Sequence, residues 1–169
     1  MPSKLYKFTS YLYFILAAYF FYQSLYLFKT IPVALSFLFE QGFDFRLLVL
    51  FFPLVEPVLF LLMGLSIHAF NTAPEQKSAK IGTYISLISA AVLILVLFLL
   101  PYFSWMMLYL ILTLRIDLVA SVALIAANIL FAMSLKVIGA KKLMWALSIC
   151  TLIFAVLQIM SVYRLVHGA

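Results

Sequence analysis

The stretch IGTYISLISAAVLILVLFLL, Ile81–Leu100, decides the fold class. Its twenty residues contain no charged side chain, and a helix rising about 1.5 Å per residue covers about 30 Å of hydrocarbon in that length. A membrane β-strand would instead show roughly ten residues alternating polar and apolar, and no period-two pattern is present. The reading is all-α: a polytopic transmembrane helix bundle.

Working outward from this stretch, four further apolar runs complete the pattern. The predicted spans are Leu5–Phe28, Arg46–Phe70, Ile81–Tyr102, Ile116–Leu135 and Leu143–Tyr163, so residues 1–169 form one transmembrane domain of about five spans. Composition agrees: 68% of the 169 residues are hydrophobic and 9% charged, against about 25% charged in soluble domains. Lys4 and Lys7 ahead of an apolar run resemble a signal peptide, but the run from Phe8 to Phe28 is too long and aromatic and is read as a retained signal anchor.

The net charge of +6 does not point to nucleic acid, because the basic residues stand singly or in pairs at the ends of the apolar runs. They report topology. Alternation of the five spans puts seven of them, Lys4, Lys7, Lys77, Lys80, Lys136, Lys141 and Lys142, on one side and four, Lys29, Arg46, Arg115 and Arg164, on the other. The positive-inside rule then predicts a cytoplasmic N-terminus and an external C-terminus. The two external connections, about 32–44 and 103–114, are apolar enough to be interfacial, the second alternatively re-entrant or an extra half-span. Pro101 interrupts the third span there, and Ser36, Glu40 and Asp44 recur four apart in the first connection.

Glu56 is the most informative single residue. It lies about ten residues, or roughly 15 Å, inside the second span, where an acidic side chain costs about 2.5–3.5 kcal/mol on insertion scales. Its setting, FFPLVEPVLF, puts Pro53 and Pro57 on either side, and each proline removes a helical hydrogen bond. Two roles fit: a proton, ion or substrate point, or a protonated carboxyl that donates to a neighbouring carbonyl and joins helices. Counting from the external ends, Asn128 and Tyr19 fall near the same depth and complete the pathway candidates. Gln158 lies shallower.

An outer-rim charge cluster of Glu40, Asp44, Arg46, Arg115 and Asp117 is expected, because the second and fourth spans enter in parallel. It is read either as ion pairs at helix ends or as a charged vestibule. The first span sets Tyr11, Tyr19, Tyr22 and Tyr26 on one arc, with Tyr6 and Tyr13 pointing away. Gly82, Ser86 and Ala90, and Ala123 and Ala127, recur four apart and predict close packing of the third and fourth spans. The bulkier first and second spans suit lipid or another protein.

His68 and His167 fall at opposite faces and cannot together hold a haem, and no metal ligand set is formed. Cys150, the single cysteine, is a packing residue. No nucleotide-binding, zinc or hydrolase motif occurs. No cofactor is predicted, although lipid or quinone contact is compatible with the aromatic faces. The function expected is a small integral subunit of a larger membrane complex, with membrane lipids and other membrane subunits or self-association as partners. A stand-alone or homo-oligomeric carrier for protons, ions or a small amphiphile is the alternative, and an enzyme acting on lipid or quinone at the outer rim the third reading. A bacterial inner membrane is the expected location.

Overall fold

The computed structural model describes residues 2–28, 52–73, 76–99 and 116–167, and within them the chain is helical throughout, with no strand. The helices are α1 (Pro2–Phe28), α2 (Phe52–Ala69), α3 (Lys77–Leu99), α4 (Ile116–Val137) and α5 (Lys141–His167). Each coincides with one predicted span, with bounds shifted by a few residues. The start of α3 at Lys77 and of α5 at Lys141 carries the polar loop residues into the first turn of the following helix. The interfacial elements expected at 32–44 and 103–114 lie outside the described residues.

Three of these helices are long and apolar enough to cross a membrane, over Lys77–Leu95, Leu118–Val137 and Lys141–Tyr163. The described apolar stretch of α2, Pro53–Ala69, is shorter. α1 falls outside that set, consistent with the tyrosines, Thr9, Ser10 and Gln23 distributed along it.

Packing follows a ring. α1 lies along α2, α2 on α5, α5 on α4 and α4 on α3, while α3 closes the ring on α1 through fewer contacts. Sequential neighbours run antiparallel. Tyr6 stacks near Phe70 and Tyr13 near Phe60, with centroids 6.3 and 5.8 Å apart, so α1 ascends as α2 descends. The α3–α4 pair is fixed by a hydrogen bond of 2.8 Å between the Ser78 and Ser134 hydroxyls.

Two glycines allow the closest approaches. A Cβ on Gly82 of α3 would stand 2.9 Å from Phe131 Cε1 and 3.3 Å from the Ala127 carbonyl oxygen, and a Cβ on Gly64 of α2 would stand 2.7 Å from Phe14 Cε1. The first matches the seam predicted from the small-residue spacing, and Gly82, Ser86, Ala90 and Ala127 are all buried. The second was not expected. α1 and α2 also form a tight seam, in which the Ser10 hydroxyl donates to the Gly64 carbonyl at 3.0 Å and Phe60 packs against both Tyr13 and Phe20.

Between α4 and α5 the chain reverses in three residues. Gly139 adopts φ of 81°, the Ala140 amide donates to the Leu135 carbonyl at 3.0 Å and the Gly139 amide to Lys136 at 3.3 Å. This is the Schellman arrangement, which satisfies the last carbonyls of α4 and requires a left-handed residue that glycine adopts without steric cost.

Candidate functional site

Most buried hydroxyls are satisfied within their own helices. Thr9, Ser66, Thr83, Ser89, Ser134 and Thr151 each donate to the carbonyl four residues earlier, at 2.7–3.0 Å. Such back-bonding lets a hydroxyl reside in an apolar interior without a partner helix. Polar links between helices among the described residues include Ser10 to Gly64, Tyr13 to the Ser86 carbonyl at 2.8 Å, Ser78 to Ser134, and Gln158 Nε2 to the Ser121 hydroxyl at 2.8 Å.

Two buried amides among the described residues, Asn71 after α2 and Asn128 in α4, have neither side-chain nitrogen nor oxygen paired, and Asn128 is the one inside a span. It is 1% exposed. An unpaired buried amide costs about 1–3 kcal/mol. The residue helps line a cleft of about 360 Å³ between α4 and α5, whose other polar members are Ser148 and Thr151.

Of the three pathway candidates, Tyr19 and Glu56 stand at about one level on the neighbouring helices α1 and α2, since Ser10 meets Gly64 and Phe20 packs on Phe60, and Asn128 stands apart from them. Glu56 sits on α2, partly buried, and Tyr19 on α1, where its hydroxyl accepts from Gln23 Nε2 at 3.2 Å. Asn128 bonds to neither. Ser78 and Ser134 mark a common level, which sets Asn128 opposite Tyr84 of α3. Tyr13, bonded to Ser86 and packed on Phe60, places Phe60 near Ser86. Asn128 and Glu56 are therefore offset along the bundle axis, and the Phe70–Phe131 contact, with centroids 5.6 Å apart, likewise sets Asn128 nearer the Ile67 level of α2 than the Glu56 level. Counting from helix ends missed this offset, because the depth at which neighbouring helices engage is set by their side-chain contacts.

Of the outer-rim cluster, Glu40, Asp44, Arg46 and Arg115 lie outside the described residues, as does the side chain of Asp117, whose backbone opens α4. The opposite end is fully described for its lysines. Tyr6 beside Phe70, and a cleft of about 410 Å³ shared by Thr72, Ala73, Gln76, Val137 and Ile138, gather the start of α1, the α2–α3 connection and the α4–α5 turn at one end. Lys4, Lys7, Lys77, Lys80, Lys136, Lys141 and Lys142 are all exposed there.

The tyrosines of α1 divide by face. Tyr6 and Tyr13 are 3% and 0% exposed, whereas Tyr11 and Tyr22 are 63% and 57% exposed, with Tyr19 between. Cys150 is buried in the core, His68 is exposed, and no group of three His, Cys, Asp or Glu side chains suited to a metal occurs among the described residues.

Taken together, these features define an all-helical membrane protein with a basic end and a largely apolar exterior. No protein-family model, curated protein or solved structure matches the chain.

Proposed function

We propose that this protein is a small integral subunit of a larger membrane complex, crossing the bilayer about five times with its lysine-rich end in the cytoplasm. The observation that supports a partner is the outer face of α1. Tyr11, Tyr22 and Gln23 stand on the bundle exterior with Tyr19 partly exposed beside them, a more polar stripe than the mid-span faces of α4 or α5. A stripe of tyrosine rings and an amide along a span suits a protein neighbour better than hydrocarbon. The seven exposed lysines at one end support the orientation, which fits a bacterial inner membrane.

The test is a photo-crosslinking residue placed at Tyr22 and, as a control, at Ile159 of α5, in cells that make the protein from its own locus. Capture of one other membrane protein at Tyr22, with lipid alone at Ile159, is the expected result. Lipid adducts at both positions, with a native mass at a multiple of 19.2 kDa, would reject the subunit reading.

A second reading rests on Glu56. It follows Pro53 by three residues, precedes Pro57 directly, and makes no hydrogen bond or ion pair with another described residue. A carboxyl with no partner among the described residues, in a proline-interrupted span, is the kind of point at which a carrier binds a proton, an ion or the head of a small amphiphile. Glu56→Gln in sealed vesicles separates the readings: a carrier loses transport while remaining assembled, and a subunit keeps both assembly and the activity of its complex.

A further inference from the structure

Charge is distributed unevenly along the chain. In segments 1–7, 71–80 and 136–142, which supply the seven lysines of the basic end, a single acidic residue, Glu75, stands against them, so these segments hold the whole net charge of +6. The rest of the sequence is balanced. Six of the seven lysines also lie within the first two turns of α1, α3 and α5, helices that all begin at this end and have no acidic residue in their first turns. A helix N-terminus is the positive end of the dipole, so cations there are disfavoured and an anion is favoured. Glu56, the one acidic side chain described, lies near the opposite end of α2, and Lys77, Lys136, Lys141 and Lys142 make no ion pair with a described residue.

Aromatic rings set the depth of this charge. Lys80 and Tyr84 on α3, and Lys141 and Trp145 on α5, are each four residues apart on one helix face, and the two rings are 49% and 62% exposed. Exposed tyrosine and tryptophan near the end of a span reside where hydrocarbon meets headgroups, which puts the neighbouring ammonium groups at the level of lipid phosphates. A soluble acidic partner would have to approach past that layer. The α4–α5 turn gathers both features: the chain reverses through Gly139, Lys136, Lys141 and Lys142 fall within seven residues, all exposed, and Trp145 follows one turn into α5.

We infer that the α4–α5 turn binds an anionic phospholipid in preference to a zwitterionic one, its phosphate among Lys136, Lys141 and Lys142 and its acyl chains beside Trp145. Only the membrane setting is assumed, so the subunit reading stands or falls separately.

Trp105→Phe leaves Trp145 as the sole tryptophan of the full chain. Its fluorescence in reconstituted vesicles is followed as phosphatidylglycerol or phosphatidylcholine, each brominated on the acyl chains, replaces unlabelled phosphatidylcholine. The expected result is equal quenching by the anionic lipid at a mole fraction roughly fivefold lower in dilute buffer, with the preference shrinking as salt rises. Combined Lys136→Gln, Lys141→Gln and Lys142→Gln abolishes the preference, and arginine at the same three positions keeps it. Indistinguishable quenching by the two lipids, or a preference that survives the glutamine substitutions, overturns the proposal. Should the glutamine variant fail to fold, the salt titration on the unaltered lysines decides, and a preference insensitive to salt overturns the proposal.

Discussion

The Tyr13 hydroxyl donates to the Ser86 carbonyl at 2.8 Å, the hydrogen bond that joins α1 to α3 across the ring. Tyr13 is fully buried and its ring also packs on Phe60, so one side chain holds three helices in register. Tyr13→Phe keeps the ring contact and loses the bond, with an expected cost of about 0.6–1 kcal/mol. Tyr13→Ala removes both, at about 3–5 kcal/mol. Reversible unfolding in mixed detergent micelles measures both. Equal losses for the two variants would show that the hydroxyl, not the ring, dominates.

Gly82→Ala and Gly64→Ala should differ. The methyl at Gly82 meets Phe131, which is 0% exposed and cannot turn away, together with the Ala127 backbone. α3 and α4 must separate, at about 1–3 kcal/mol. At Gly64 the three nearest atoms, Cε1, Cδ1 and Cζ at 2.7–3.4 Å, all belong to the ring edge of Phe14, which is only partly buried, and the expected cost is smaller, about 1 kcal/mol, because that ring can shift outward. Thermal inactivation temperatures of the two variants in one detergent test the order.

Gly139→Ala isolates backbone strain. No atom lies within 4 Å of a Cβ built there, so the whole penalty comes from φ of 81°, about 1–2 kcal/mol for alanine. Asn, which enters the left-handed region more readily, should recover part of it. An alanine variant as stable as the wild type would mean that the α4–α5 turn adopts another conformation in the membrane.

Asn128→Leu is expected to stabilise the chain, by about 1 kcal/mol or more, because it removes a buried amide that has no partner. Stability measured by detergent unfolding should rise. A loss of stability would instead show that the amide is paired in the membrane.

Cysteines replacing Lys7, Lys77 and Lys141, in a Cys150→Ser background, should all react with a membrane-impermeant maleimide from one side of sealed vesicles, since all three lie at the basic end of the bundle. Reaction of Lys77→Cys and Lys141→Cys from opposite sides would overturn the five-span topology.

Much of this architecture was legible without coordinates. Uncharged runs of about twenty residues specify helices wherever the surrounding medium cannot satisfy backbone polar groups, and the small residues from Gly82 to Ala90 announced the α3–α4 seam because backbones approach only where side chains are small. The opposite directions of Tyr6 and Tyr13 from the Tyr11–Tyr22 arc followed from 100° per residue, and burial divides them in that way.

The candidate site was legible only in part. Sequence marks Glu56 and Asn128 as costly in hydrocarbon, because that cost belongs to the residue and its depth. Whether such a group is paired depends on the axial offset and rotation of neighbouring helices. Those are set by contacts distant in sequence, such as Ser10 with Gly64, Tyr13 with Ser86 and Gln158 with Ser121. Only the tertiary packing could offset Asn128 from Glu56, join Gln158 to Ser121, and leave the Asn128 amide buried and unmet, since side-chain interdigitation selects one engagement of helices among many of similar hydrophobicity.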